Sequence, residues 1–502
     1  MKNYIKIIAL FMMCAMILPA VVACQGPSTT LPNDNAGVNA GNTGDLTEGE
    51  PEPELLPDGT WYNGYDFHIL LGGSFKQNDF AYTEGNEDLV DIARYQRLVR
   101  MSETYGISIS YEDTMSFGKD SGSGPAYQAL SRVYQSQTYE YDAAMVGSYD
   151  VSSAAYGGLL YNLNSDKLPY VDITKPWWDQ KANEDLMIDD KMFYTTGSIS
   201  LTSYIVTSCM IFNKDIVVEN DNLKNPYEMV RNNEWTWDNF AVEVKKVSDD
   251  LNGDGIYNHE DKFGLMTWND ALLSSFASSL SSICSINDDN EIVLTAYTPV
   301  STAIVGKYVD LIGTQNVFNY QQGYSINQWD TTRTAMFDND QALYYISNFN
   351  VIPKHRNSET DFGVLPLPKL NAEQEAYGHL VTASSNQFFC IPYYVEDLER
   401  TGGIVEALAY DGYKNLVPAY YEKTLVGKYV RDDESVEMLD LIFASRVYDL
   451  GLYYKVANFH SNMMTMVSTK QNTFASIYQS LETPAKTELE SINNRFSEVL
   501  VD

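Results

Sequence analysis

The chain has 502 residues and carries 33 Lys and Arg against 68 Asp and Glu, a formal charge of -35. Hydrophobic residues make up 44%, which supports a packed core and excludes wholesale disorder, and the length suits two or three domains. The charge excludes a nucleic-acid partner and a basic membrane-docking face, because either polyanion would be repelled.

Lys2 and Lys6 precede an apolar run, 7–23, which contains Pro19 and ends in small residues. It is short for a membrane span and reads as a secretory signal peptide, 1–23. Its end, Val21-Val22-Ala23-Cys24, resembles a bacterial lipobox. Cys24 is then the lipidated first residue of the mature chain and its only tie to the membrane. Cys209, Cys284 and Cys390 are the other cysteines of the mature chain and make no disulfide framework. Residues 24–60 combine Pro, Gly, Asn and acids without one basic side chain, the composition of an extended, disordered linker.

From Trp61 the pattern turns globular. Residues 65–71 (YDFHILL) read as a strand and Gly72-Gly73-Ser74 as the turn after it. A helix follows over 88–105, ended by Gly106, and a strand over 107–111. A Gly/Ser loop at 116–124 leads to a helix at 126–137 and a buried strand at 141–147. Strands separated by single helices imply parallel β-α-β units, whose ligands lie beyond the carboxyl ends of the strands. The run 201–212 reads as one long strand, with helices near 227–231 and 237–247.

Residues 250–261 then place oxygen side chains at alternate positions: Asp250, Asn252, Asp254, Asn258 and Asp261, with Gly255 at the sixth place. This is the Ca²⁺-loop pattern, in which Ile256 contributes its carbonyl and Asp261 replaces the usual Glu. The expected cofactor is therefore a structural Ca²⁺. The other reading is an acidic surface turn.

Further fragments carry a resemblance: Pro176-Trp177-Trp178-Asp179, Phe212-Asn213-Lys214, Trp235-Thr236-Trp237-Asp238, Lys262-Phe263-Gly264-Leu265, Ala335-Met336-Phe337 and the segment 361–368 (DFGVLPLP). In this order, with the lipobox, the chain resembles the extracellular solute-binding proteins of bacterial ABC importers, the family related to maltose-binding protein. The resemblance implies an α/β, two-lobed, type II binding-protein fold. Crossing segments are expected near 204–207 and 381–389. The first lobe would comprise 61–203 and 384–440, the second 204–383, and a helical segment, 441–502, would pack across both. It also implies a monomer on the outer face of the membrane that captures a carbohydrate and delivers it to ABC permease subunits.

Sugars offer flat C–H faces ringed by hydroxyls, so Trp and Tyr planes beside Asp, Asn and Arg are the groups to seek at strand ends. The candidates in the first lobe are Gly73, Ser74, Tyr149, Asp150, Trp177 and Trp178. In the second lobe they are Trp268, Asp270, Trp329, Asp330 and Asn348. Trp235 and Trp237 open an amphipathic helix and read as core. No P-loop, G-x-S-x-G or H-E-x-x-H occurs, so the reading is not an enzyme. The alternatives are a cell-surface glycoside hydrolase, whose carboxylate pair no count of acids excludes, and a carbohydrate-binding or purely structural lipoprotein without a transport role.

Overall fold

A computed structural model of the chain describes residues 53, 55–75, 77–322, 329–429 and 432–499. Cys24 and most of 24–60 lie outside the described residues, but the end of that range is not a free linker: Leu56 is buried, so the packed body begins before Trp61. Among the described residues no helix is long and apolar enough to cross a membrane.

The first strand is Tyr65–Leu71. The helix Leu89–Tyr105 starts where Asp88 accepts the N–H groups of Val90 and Asp91, and ends at Gly106, whose φ of 65° suits glycine. Ile107–Asp113 then pairs parallel with Tyr65–Leu71. Ala143–Gly147, reached through the helix Pro125–Ser136, pairs parallel on the other side. Gln387–Cys390 returns from far along the chain and adds antiparallel to Ala143–Gly147, completing a four-stranded sheet.

A second sheet forms the other lobe, in the order Phe362–Leu365, Ser208–Asn213, Ala342–Asn348, Lys262–Thr267, Ser248–Asp249. Val317–Asn319 also pairs with Lys262–Thr267. Between the sheets the chain crosses at an antiparallel bridge of Thr207 with Val381, where Thr382 N–H donates to the Val206 carbonyl at 3.1 Å.

Three readings of the sequence need correction. The run 201–212 is not one strand: Thr202–Ile205 is a helical turn and the strand is Ser208–Asn213. The Ser200 hydroxyl takes the Thr202 N–H at 3.2 Å, and such side-chain bonds compete with a ladder. Residues up to 440 do not all belong to the first lobe. The helix Asp433–Ala444 packs on Phe362–Leu365 of the second sheet, and Ser435 Oγ accepts from Val364 N–H at 3.1 Å. The segment expected to be helical over 441–502 is interrupted near its start by the strand Arg446–Val447, which pairs with His379–Leu380 beside the crossing.

A candidate ligand cleft between the lobes

Both sheets aim the carboxyl ends of their strands at a shared cleft of about 630 Å³. Ser74 and Phe75 reach it from the turn after Tyr65–Leu71, and Tyr149 from the start of the helix Ser148–Tyr156. Across the gap stand Trp268 and Asp270, after Lys262–Thr267, and Asn348, at the end of Ala342–Asn348. Five of the eleven candidates, Ser74, Tyr149, Trp268, Asp270 and Asn348, thus meet in one place.

Of the other six, Gly73, Asp150, Trp177, Trp178 and Asp330 do not line the cleft. Gly73 lies behind the lining at φ 121°, where an added Cβ would come within 3.2 Å of Gln387 and the Gly147 backbone; glycine is what lets the turn deliver Ser74. Asp150 is buried and turned away. Its Oδ1 accepts the N–H groups of Ser121, Gly122 and Gly124 at 3.3, 2.9 and 2.8 Å, which fixes the loop that carries Phe117, Gly118 and Asp120 to the cleft. Asp120 returns the bond by accepting Asp150 N–H at 2.9 Å. Burial, with the neighbouring Asp150 charge, pushes the Asp120 carboxyl up to about 7.

Trp177 and Trp178 are core residues, contrary to the expectation. Trp178 is 0% exposed, and both indole N–H groups donate to the carboxylate of Glu406, at 2.7 and 3.0 Å. Burial pushes Glu406 up to about 7. Trp235 and Trp237 are equally buried, as read from sequence. Trp329 begins the helix Trp329–Asp338, and its side chain lies outside the described residues. Asp330 is one step behind the lining: it accepts from Arg333 Nε at 2.9 Å and so orients the guanidinium, whose Nη1 donates to Tyr320 OH at 2.9 Å.

Sequence reasoning missed Phe75, Phe117, Asp120, Tyr320, Gln321, Arg333, Ser347, Asn350, Ser384 and Ser385. Phe117 left a signal. An aromatic inside a Gly/Ser loop has no core to enter, and it is 82% exposed at the cleft margin. The lining therefore offers four aromatic faces, Phe75, Phe117 and Tyr149 from one lobe and Trp268 from the other, with the fully buried Tyr320 behind them. Trp268 Nε1, Asn348 Oδ1 and Asn350 Oδ1 are buried in this wall without hydrogen-bond partners among the described residues.

In the 250–261 loop the side chains serve the backbone. Asp250 accepts from Gly253 and Gly255 N–H, each at 2.7 Å; Asn252 accepts from Asp254 N–H and Asp254 from Ile256 N–H. Asn258 Oδ1 accepts from Glu260 N–H, and the buried Asp261 accepts from Leu251 and Asn258 N–H. The donor set is all oxygen, as Ca²⁺ requires. Among the described residues, however, no three Asp, Glu, His or Cys side chains are gathered as a metal cage.

Residues 96–387 match the model of the family described as bacterial extracellular solute-binding protein. No curated protein matches the chain. Among solved structures, one similar chain is the ABC substrate-binding protein Lmo0181 from Listeria monocytogenes in complex with cycloalternan. It has a TM-score of 0.55 at 12% identity, covering 85% of this chain and 99% of that one. Another is a cyclo/maltodextrin-binding protein complexed with maltotetraose, also at TM-score 0.55, with 11% identity and coverage of 88% and 99%. At such identities the likeness is one of fold: both are two-lobed.

Proposed function

The chain belongs to the bacterial extracellular solute-binding proteins, and from that premise we propose that it captures a carbohydrate between its lobes and hands it to an ABC permease. The observation that carries the sugar reading is the lining: four aromatic faces from both lobes, interleaved with Asp120, Asp270, Arg333, Asn348 and Asn350. Aromatic planes cover sugar C–H faces, and the unpaired buried atoms of Trp268, Asn348 and Asn350 suit hydroxyls, which both donate and accept. The two similar structures bind cycloalternan and maltotetraose, which supports the same ligand class. Because each lobe holds part of the site, a ligand touching both favours the closed arrangement, and only that differential affinity shifts the population.

The protein is read as a binder that leaves its ligand unchanged. Titration calorimetry over linear malto-, cello-, xylo- and manno-oligosaccharides tests this. The expected result is binding without turnover and compaction in small-angle scattering. Product formation would favour the glycoside hydrolase instead, and no binding to any saccharide would end the sugar reading. We further propose that Cys24 is lipidated and holds the protein at the outer face of the membrane. Cys24→Ala should move it from the membrane fraction to the medium. The spacing of Asp250, Asn252, Asp254, Ile256, Asn258 and Asp261 supports a structural Ca²⁺ in their loop.

A further inference from the structure

The segment after the helix Leu450–Tyr453, together with the first turn of the helix Phe459–Thr469, touches both lips of the cleft. Lys455 Nζ lies 4.0 Å from the centroid of the Tyr149 ring and donates to the Ser121 carbonyl at 3.1 Å, both in the first lobe. Five residues on, His460 Nε2 meets Asp270 Oδ1 at 3.1 Å, in the second lobe. Tyr149 and Asp270 line the ligand cleft on their other side. Behind them only a small residual cavity remains, shared with Leu452 and His460.

This segment holds its shape at a cost. Lys455, Ala457 and Asn458 have φ of 53°, 44° and 55°, a left-handed region that side chains with a Cβ avoid. It is pinned from behind, where Glu488 of the helix Phe474–Asn494 accepts Ala457 N–H at 2.7 Å, and Val456 is fully buried. Strain so supported concentrates where a backbone must aim side chains, here Lys455 at one lip and His460 at the other.

We propose that Lys455 and His460 wall off one end of the cleft, so that the site receives the terminus of an oligosaccharide rather than the middle of a chain. This rests on the carbohydrate reading and adds to it the residues that set which ligands fit. A cleft open at both ends tolerates a bulky group on either terminus, whereas a walled one tolerates it on one terminus only.

The test uses the full mature chain and the tightest-binding oligosaccharide of the panel above, prepared with a bulky aromatic group on the reducing end or, separately, on the non-reducing end. One derivative should bind at least about tenfold more weakly than the parent and the other within about twofold. Lys455→Ala/His460→Ala should recover most of the loss for the weak derivative while binding the parent as before. Equal tolerance or equal loss at the two ends overturns the wall, and so does a double variant that leaves the asymmetry unchanged. If no saccharide binds the unaltered protein, it is the carbohydrate reading that fails, which is a different result from a symmetric one.

Discussion

Asp179 in the first lobe holds Arg446, the residue beside the crossing, with one oxygen: its Oδ2 accepts from Nε at 3.0 Å and from Nη2 at 2.5 Å. Tyr448 OH donates to the same oxygen at 2.8 Å, and the guanidinium lies 4.5 Å from the Tyr204 ring centroid. Both charged side chains are nearly fully buried. Burial works against the Arg446 charge, but the Asp179 carboxylate, together with Tyr448 and Tyr204, outweighs it and holds the pKa above the ordinary value. Since Arg446–Val447 pairs with His379–Leu380, just before the bridge at Val381, this ion pair fastens the connection between the lobes to the first of them.

Breaking the pair from one side should cost much more than its net worth, because a lone buried charge remains. Arg446→Met is expected to lower unfolding stability by about 3–5 kcal/mol in denaturant titrations. Adding Asp179→Asn, which keeps the oxygen that caps Lys181 and Ala182 but removes the charge, should return at least about 1 kcal/mol of that loss. Two losses that simply add would show that the groups are not coupled.

Glu406 predicts a pH dependence. Its folded value, about 7, is raised above the ordinary 4.5, first of all by burial. The folded state therefore holds this proton more tightly than the unfolded chain. The resulting stability is complete below the unfolded value and is lost as pH rises through the folded one. Melting temperature should fall between pH 4.5 and 7 on this account, a trend that Asp120, also raised to about 7, would reinforce. In Glu406→Gln the slope should flatten. One indole N–H would then face an amide N–H₂, with an expected loss of about 1–3 kcal/mol at acidic pH. An unchanged slope would remove Glu406 from the explanation.

These residues also show what was legible in sequence. Strand alternation, glycine turns and helix caps are local, so Tyr65–Leu71, the Gly72–Gly73 turn and the strand-end positions of Ser74, Tyr149 and Trp268 could be read directly. The fate of Trp177 and Trp178 could not, because Glu406, their partner, is 229 and 228 residues away. Asp150 follows Tyr149 at a strand end, but its carboxylate turns to the amides of Ser121, Gly122 and Gly124, a choice that depends on how a loop folds back. The interruption at Arg446–Val447 was hidden for the same reason: its strand partner is His379–Leu380 and its charge partner Asp179.

If the 250–261 loop binds Ca²⁺, chelation should be visible in stability. At a hundredfold excess of free ion over its dissociation constant, linkage contributes about 2.7 kcal/mol. Chelator should lower the melting temperature of the wild-type chain and leave Asp250→Ala/Asp254→Ala unaffected. The same melting temperature with and without chelator would make the loop an acidic turn held by its own side-chain-to-backbone bonds.

The two classes of tryptophan should separate in one pair of variants. Trp268 stands in the cleft lining with its indole nitrogen unpaired, and only part of its surface packs on the core. Trp178 is wholly buried, lies 5.6 Å from Phe389 between ring centroids, and donates to Glu406. Removing a stacking face at the centre of a binding site costs on the order of 2 kcal/mol or more, about 30-fold in affinity. Trp268→Ala should therefore bind the best saccharide at least that much more weakly in calorimetry, with a small change in melting temperature. Removing a buried Trp from a packed core costs about 3–5 kcal/mol, and here Glu406 would also lose one of its two indole donors. Trp178→Ala should accordingly show a large drop in stability, while the fraction still folded binds with near-normal affinity. The reverse outcome, a stable Trp178→Ala that no longer binds beside a Trp268→Ala that binds normally, would move the ligand out of the inter-lobe cleft.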